Sequence, residues 1–108
     1  MTGIERITAE RKRQIEQENW TAEHDDQYLN QELPMAAACY TMMAEILTRS
    51  DNEDRRQIIA EEATPPVKWP WDARWWKPSP DPVRNLEKAG ALIAAEIDRL
   101  KRLEQRNG

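Results

Sequence analysis

Two groups of residues in this 108-residue chain have types and spacings that can do chemistry. The first is the run Lys68-Trp69-Pro70-Trp71-Asp72-Ala73-Arg74-Trp75-Trp76-Lys77-Pro78, which holds four of the five tryptophans. Indole faces stack on nucleobases, contributing ~1–3 kcal/mol per base in single-strand binders, and cations close by can hold phosphate. Trp69, Trp71, Trp75 and Trp76 with Arg74, Lys77 and Lys88, joined by His24 and Tyr40, therefore form a candidate binding set for a nucleotide or cyclic nucleotide. The competing explanation is packing, because tryptophans supply area that a small core lacks. The second group is acidic. His24-Asp25-Asp26 and Glu32, with Glu96 further along, offer the oxygen ligands that Mg²⁺ prefers. Aspartates ahead of a helix also serve as plain N-caps.

Other site chemistries find no pattern. One cysteine and one histidine cannot build a zinc site, and the glycines at 3, 90 and 108 make no phosphate loop. No serine or threonine sits with a base in a triad spacing, so no catalytic residue is assigned. The net charge of −4 speaks against a duplex-DNA binder with a basic face. A single cysteine permits no internal disulfide and fits a reducing compartment. Met1 to Lys12 lacks the apolar run of a signal peptide, and no stretch approaches the ~18 apolar residues of a membrane span. A cytoplasmic location in the host cell is the simplest expectation.

The elements that must position these residues are helical, and the chain reads as one domain over 1–108. The segment 2–18 is a helix opened by a Thr2/Glu5 capping box, with Ile4, Ile7 and Ile15 as a sparse apolar stripe. The segment 32–49 is the strongest helix, with Pro34 in its first turn. Leu33, Ala37, Tyr40, Ala44 and Leu47 mark one face; Met35, Ala38, Cys39, Met42 and Ile46 mark a second. Two apolar faces place a helix centrally in a bundle or at an oligomer interface. A short helix over 52–63 turns Ile58 and Ile59 inward. The segment 64–82 is a loop by its chemistry, since it holds six of the seven prolines. The last helix, 82–105, is capped by Asp81 and carries Leu86, Ala89, Ile93, Ile97 and Leu100 as its expected core stripe. Gly90 marks a close crossing, and Glu96, Asp98, Arg99, Lys101 and Arg102 are expected on the solvated side. The fold class is all-α, a small helical bundle with a Pro/Trp-rich loop before the last helix. Hydrophobic residues make up only 39% of the chain, so a homo-oligomer with a shared core is expected.

Glu10-Arg11, Arg13-Gln14, Trp20, His24-Asp25-Asp26, Glu32-Leu33, Ala36-Ala37 and Tyr40 resemble a family of short phage and prophage proteins. So do Trp69-Pro70-Trp71, Trp76-Lys77-Pro78, Leu86, Lys88-Ala89-Gly90-Ala91-Leu92-Ile93 and Ala95-Glu96-Ile97. Asn19 stands where that family has glycine, and the charged insert 48–63 is long. More distantly the chain resembles the MazG-like nucleoside triphosphate pyrophosphohydrolases. That resemblance implies an all-α bundle, dimeric or tetrameric, in which clustered glutamates bind Mg²⁺ and a triphosphate. Here the cluster is thinned: Glu32 remains beside Gln31, Met35 stands near another ligand position, and Asn85 replaces an acidic residue at the start of the last helix. Metal-assisted cleavage needs a cation held by several carboxylates. The resemblance thus favours the fold and a nucleotide-like ligand over catalysis. Three functions follow as expectations. The first is a phage accessory protein that sequesters a nucleotide-derived signal from host defence. The second is a divergent Mg²⁺-dependent pyrophosphohydrolase, and the third a protein-interaction inhibitor of a host enzyme.

Overall fold

A computed structural model describes residues 1–107. The order of elements is α1 (Gly3–Gln17), α2 (Ala22–Asp25), α3 (Glu32–Thr48), α4 (Glu53–Glu62), a single 3₁₀ turn (Ala73–Trp75) and α5 (Pro82–Asn107), with no strand among the described residues. The fold is all-α. α3 packs along α5, α1 packs on another flank of α5, and α2 touches α5 near its C-terminal half.

The ends of the helices follow from their capping residues. Thr2 and Glu5 form the reciprocal capping box, with the Thr2 N–H donating to Glu5 at 2.9 Å and the Glu5 N–H donating to Thr2 at 3.2 Å. Asn52 accepts from the Arg55 N–H at 3.0 Å to start α4, and Asp81 accepts from the Val83 N–H at 2.9 Å to start α5 at Pro82. Thr21 does the same for α2, a one-turn helix inside the polar stretch 21–30 that shows no helical periodicity in the sequence. Asn19 has φ 59°. Of the non-glycine residues, asparagine tolerates this left-handed conformation best, and it turns the chain so that the Trp20 N–H can reach the Gln14 carbonyl at 3.0 Å.

The core is built at the α3–α5 contact from Leu33, Ala36, Ala37, Cys39, Tyr40, Met43 and Leu47 against Ala89, Leu92 and Ala95, with Trp76 inserted from the loop. Alanines at this contact let the two backbones approach closely, and that requirement decides which faces turn inward. On α3 the first expected face is buried throughout, whereas Met42 is 47% exposed and Ala38 is open.

On α5 the outcome reverses the expectation. Ala89 is buried, but Leu86, Ile93, Ile97 and Leu100 are 46, 48, 53 and 45% exposed. The helix carries two apolar faces, and the one rich in small residues takes the close contact with α3. Arg99, expected in solvent, is instead 7% exposed. Ile58 of α4 is likewise open, and only Ile59 and Ala60 of that helix face the core. α1 turns Glu10 and Gln14 inward and leaves Ile4 79% exposed. Gly90 does mark a close crossing: a Cβ there would lie 2.6 Å from Ile7 Cδ1.

Candidate functional site

The irregular segment between α4 and α5 folds back over the α3–α5 pair. Its far end is fastened by Asn85, which is 0% exposed. The Ser79 N–H donates to the Asn85 side-chain oxygen at 2.9 Å, and the Asn85 amide donates to the Ser79 carbonyl at 2.8 Å. A carboxylate cannot make the second bond, because it has no proton to give. This loop anchorage supplies a physical reason for asparagine at the position where the MazG-like resemblance expects an acid.

Inside this anchor the aromatic rings pack in sequence. Trp76, 7% exposed, lies 5.0 Å from both the Tyr40 and Trp69 rings, centroid to centroid. Trp69 meets Trp71 edge-on at 5.4 Å, and Trp71 meets Tyr28 at 5.3 Å. Tyr28 in turn abuts His24, whose ring stacks parallel to Trp20 at 6.0 Å. These rings wall a recess of about 590 Å³, within the range of small-molecule sites. Seven of the nine residues expected to bind ligand line it: Trp69, Trp71, Trp75, Lys77, Lys88, His24 and Tyr40. The other two sit elsewhere. Trp76 is a core residue behind the wall, so the packing explanation holds for that ring. Arg74 points outward, with its guanidinium 5.1 Å from the ring of the 55%-exposed Trp75.

The floor of the recess comes from α1, which the aromatic and acidic motifs did not indicate. Glu10, 3% exposed, accepts from Arg13 at 2.8 and 3.0 Å and pairs with Arg84 at 2.7 Å. Burial alone pushes its carboxyl pKa up, but the hydrogen bonds from Arg13 and Arg84 outweigh burial and hold it below the ordinary value. Gln14, 2% exposed, donates its amide to Glu10 at 3.1 Å, which leaves Gln14 Oε1 with no partner in the protein. The indole N–H of Trp71 is also buried without a protein partner. Both residues line the recess, but the two unpartnered atoms themselves are closed to solvent. The signal available in the sequence was Arg13-Gln14 one helical turn after Glu10, on a helix whose apolar stripe is too sparse to fill a core.

Charge in the recess is mixed. Glu10 and Glu18 are both engaged by Arg13. Lys77 and Lys88 make no ion pair among the described residues. Lys88 donates to the Lys77 carbonyl at 2.9 Å and lies 5.3 Å over the Tyr40 ring. Burial, reinforced by the neighbouring Arg84, draws its pKa down. An incoming anion would find these two lysines uncommitted to any carboxylate.

The four carboxylates expected to share Mg²⁺ are not brought together. Asp25 is buried against Arg11 at 3.1 Å and His24 Nδ1 at 3.1 Å, and Asp26 is held by Arg102 at 2.8 Å and by Arg106. Glu96 grips Arg99 at 2.6 Å, and Glu32 accepts from the Asn30 N–H at 2.6 Å. Three of the four are thus committed to arginines, and all make local structural contacts. No group of three or more His, Cys, Asp or Glu side chains is placed to hold a metal ion among the described residues. Nor is any helix of the described residues long and apolar enough to cross a membrane. No protein-family model, curated protein or solved structure matches the chain.

Proposed function

We propose that this chain binds a nucleotide or a nucleotide-derived signal, cyclic nucleotides included, in the recess between α1 and the tryptophan segment. The observation that carries the reading is the composition of that recess. Rings of Trp69, Trp71, Trp75 and Tyr40 stand beside Lys77 and Lys88, which no carboxylate engages, around a recess of about 590 Å³. A nucleobase presents flat faces to such rings, and its phosphate suits the lysines. Binding without turnover fits the carboxylates best, since those expected to hold Mg²⁺ are spent on arginines and backbone. In biological terms the proposal is a phage accessory protein that sequesters such a signal from host defence, as the sequence resemblance implies.

Calorimetric titration of the full chain against a panel of mono-, di-, tri- and cyclic nucleotides tests it, with tryptophan fluorescence as a second readout. At least one ligand is expected to bind with Kd below about 100 μM, equivalent to about −5.5 kcal/mol. Lys88→Ala should weaken it, with a smaller effect on the corresponding nucleoside. Silence across the whole panel at that concentration rejects the proposal. Release of pyrophosphate from a triphosphate would replace it with the hydrolase reading.

A further inference from the structure

The partition of side chains in this molecule is inverted on one side. Glu10, Gln14, Asn85, Asp25 and Arg99 are buried, while Val83, Leu86, Ile93, Ile97 and Leu100 of α5 are all 45–53% exposed. Those five recur at spacings of three, seven, four and three residues. That is a single helical stripe, the heptad pattern of a helix packed against another helix. Its intervening position, Gly90, carries no side chain, and no charged residue interrupts the stripe from Val83 to Leu100. A solvated helix face normally carries charge. Beside it α1 contributes Ile4, 79% exposed, and Ile15, 38% exposed; Ile7, Ile15 and Ala94 line a shallow groove between the two helices.

We infer that this α1/α5 face is where two copies of the chain meet, α5 against α5 in antiparallel order about a two-fold axis through Ile93, making a four-helix arrangement. The stripe is its own complement in that register. Leu86 and Leu100 each lie seven positions from Ile93, so Leu86 of one copy meets Leu100 of the other, and the two Ile93 side chains meet on the axis. A self-complementary patch is what a two-fold interface requires. The area is adequate: the aliphatics Ile4, Ile15, Leu86, Ile93, Ile97 and Leu100, 38–79% exposed, leave on the order of 500 Å² of apolar surface, as large as the largest patch on an ordinary monomer, which is often functional. With their polar flanks they approach the roughly 800 Å² per partner of a stable interface. Charge permits it as well. α5 has six basic and four acidic residues and α1 four and three, so the two helices carry +3 between them, the stripe itself carries no charge, and two copies meeting there keep the −7 remainder of the −4 chain apart. The recess, lined on α1 by Glu10 and Gln14, shares no lining residue with the groove of Ile7, Ile15 and Ala94, so pairing does not depend on what the recess holds.

Analytical ultracentrifugation of the full chain tests the inference. A species of twice 12.7 kDa is expected at low micromolar concentration. Ile93→Glu/Ile97→Glu should convert it to a monomer, weakening self-association at least 100-fold, with helical circular dichroism retained. Should that variant fail to fold, Ile93→Cys supplies an independent readout. Cys39 is buried, so the introduced thiol is the accessible one and should give a disulfide-linked dimer on mild oxidation, whereas Asp98→Cys should not. A wild-type chain that stays monomeric to several hundred micromolar overturns the inference and leaves the face to a different protein. A dimer that survives the double glutamate substitution, or that crosslinks through position 98 rather than 93, overturns it too.

Discussion

Gly90→Ala sets two effects of known size against each other. Alanine is favoured over glycine inside a helix by about 1 kcal/mol, so at an open helical position the substitution stabilises. Gly90 is not open. An added Cβ would stand 2.6 Å from Ile7 Cδ1, 2.7 Å from Ile7 Cγ1 and 3.2 Å from Ile7 Cγ2. A single terminal methyl could swing aside, but three atoms of a β-branched side chain cannot, because an isoleucine in a helix is largely confined to one χ1 rotamer. Helix α1 must therefore shift, and overpacking of this kind costs about 1–3 kcal/mol. The net effect expected for Gly90→Ala is a loss of about 1 kcal/mol. In an Ile7→Ala background the obstacle is gone and the same substitution should stabilise by about 1 kcal/mol, giving a coupling of about 2 kcal/mol in the double-mutant cycle. Urea unfolding of the four proteins, at one fixed protein concentration, measures it. A gain in stability for Gly90→Ala in the chain that keeps Ile7 would show that α1 does not rest on α5 at this crossing.

Asn85→Asp removes the amide that donates to the Ser79 carbonyl and should cost about 1–3 kcal/mol, with loosening of the tryptophan segment visible as a red shift and broadening of indole fluorescence; Asn85→Asp behaving as wild type would mean that the loop is anchored elsewhere. Glu10 has a folded-state pKa below the ordinary 4.5, so its contribution to stability is complete above that value and is lost as pH falls through the lower, folded value. Stability measured by thermal unfolding should accordingly decline below about pH 4.5, and Glu10→Gln should flatten that decline while lowering stability at neutral pH by about 1–3 kcal/mol, a range held down by solvent access to Arg13 and Arg84. Trp71→Phe keeps an aromatic ring and deletes the indole donor. The larger ring packs against Tyr28 and Trp69, so the unliganded protein should lose about 1–3 kcal/mol of stability, and the ligand found by titration should bind roughly tenfold more weakly, about 1.4 kcal/mol, through lost stacking area; unchanged affinity would take this ring out of the binding wall.

The helices were legible because their ends are written in capping residues: Thr2 with Glu5, Asn52, and Asp81 ahead of Pro82 all start helices at or within one residue of the expected places. The loop was legible because prolines exclude the alternatives. The orientation of α5 was not. Both of its faces are apolar, and hydrophobic periodicity ranks them by side-chain size, which favours Leu86, Ile93, Ile97 and Leu100. The fold instead ranks them by how closely α3 can approach, which favours Ala89 and Ala95. For the site, aromatic and cationic residue types sufficed to find one wall of the recess. They could not find the other, because Glu10 and Gln14 belong to a helix that reads as solvated, and the close crossing at Gly90 together with the Glu10–Arg84 ion pair brings that helix onto α5.

The polar floor has an energetic consequence. Burying Glu10 and Gln14 beneath aromatic rings is unfavourable unless their hydrogen-bonding capacity is met, and for Glu10 it is, by two arginines and an amide. For Gln14 Oε1 and Trp71 Nε1 it is not met from within the protein. Each such group costs on the order of 1–3 kcal/mol when it lacks a partner, and neither is needed to close the core, where a leucine or a phenylalanine would fill the same space without that cost. A chain with only 39% hydrophobic residues has little stability to spare for groups that contribute nothing to folding. Both atoms are shut off from solvent in the free chain, so a ligand gains their hydrogen bonds only if the recess widens to expose them.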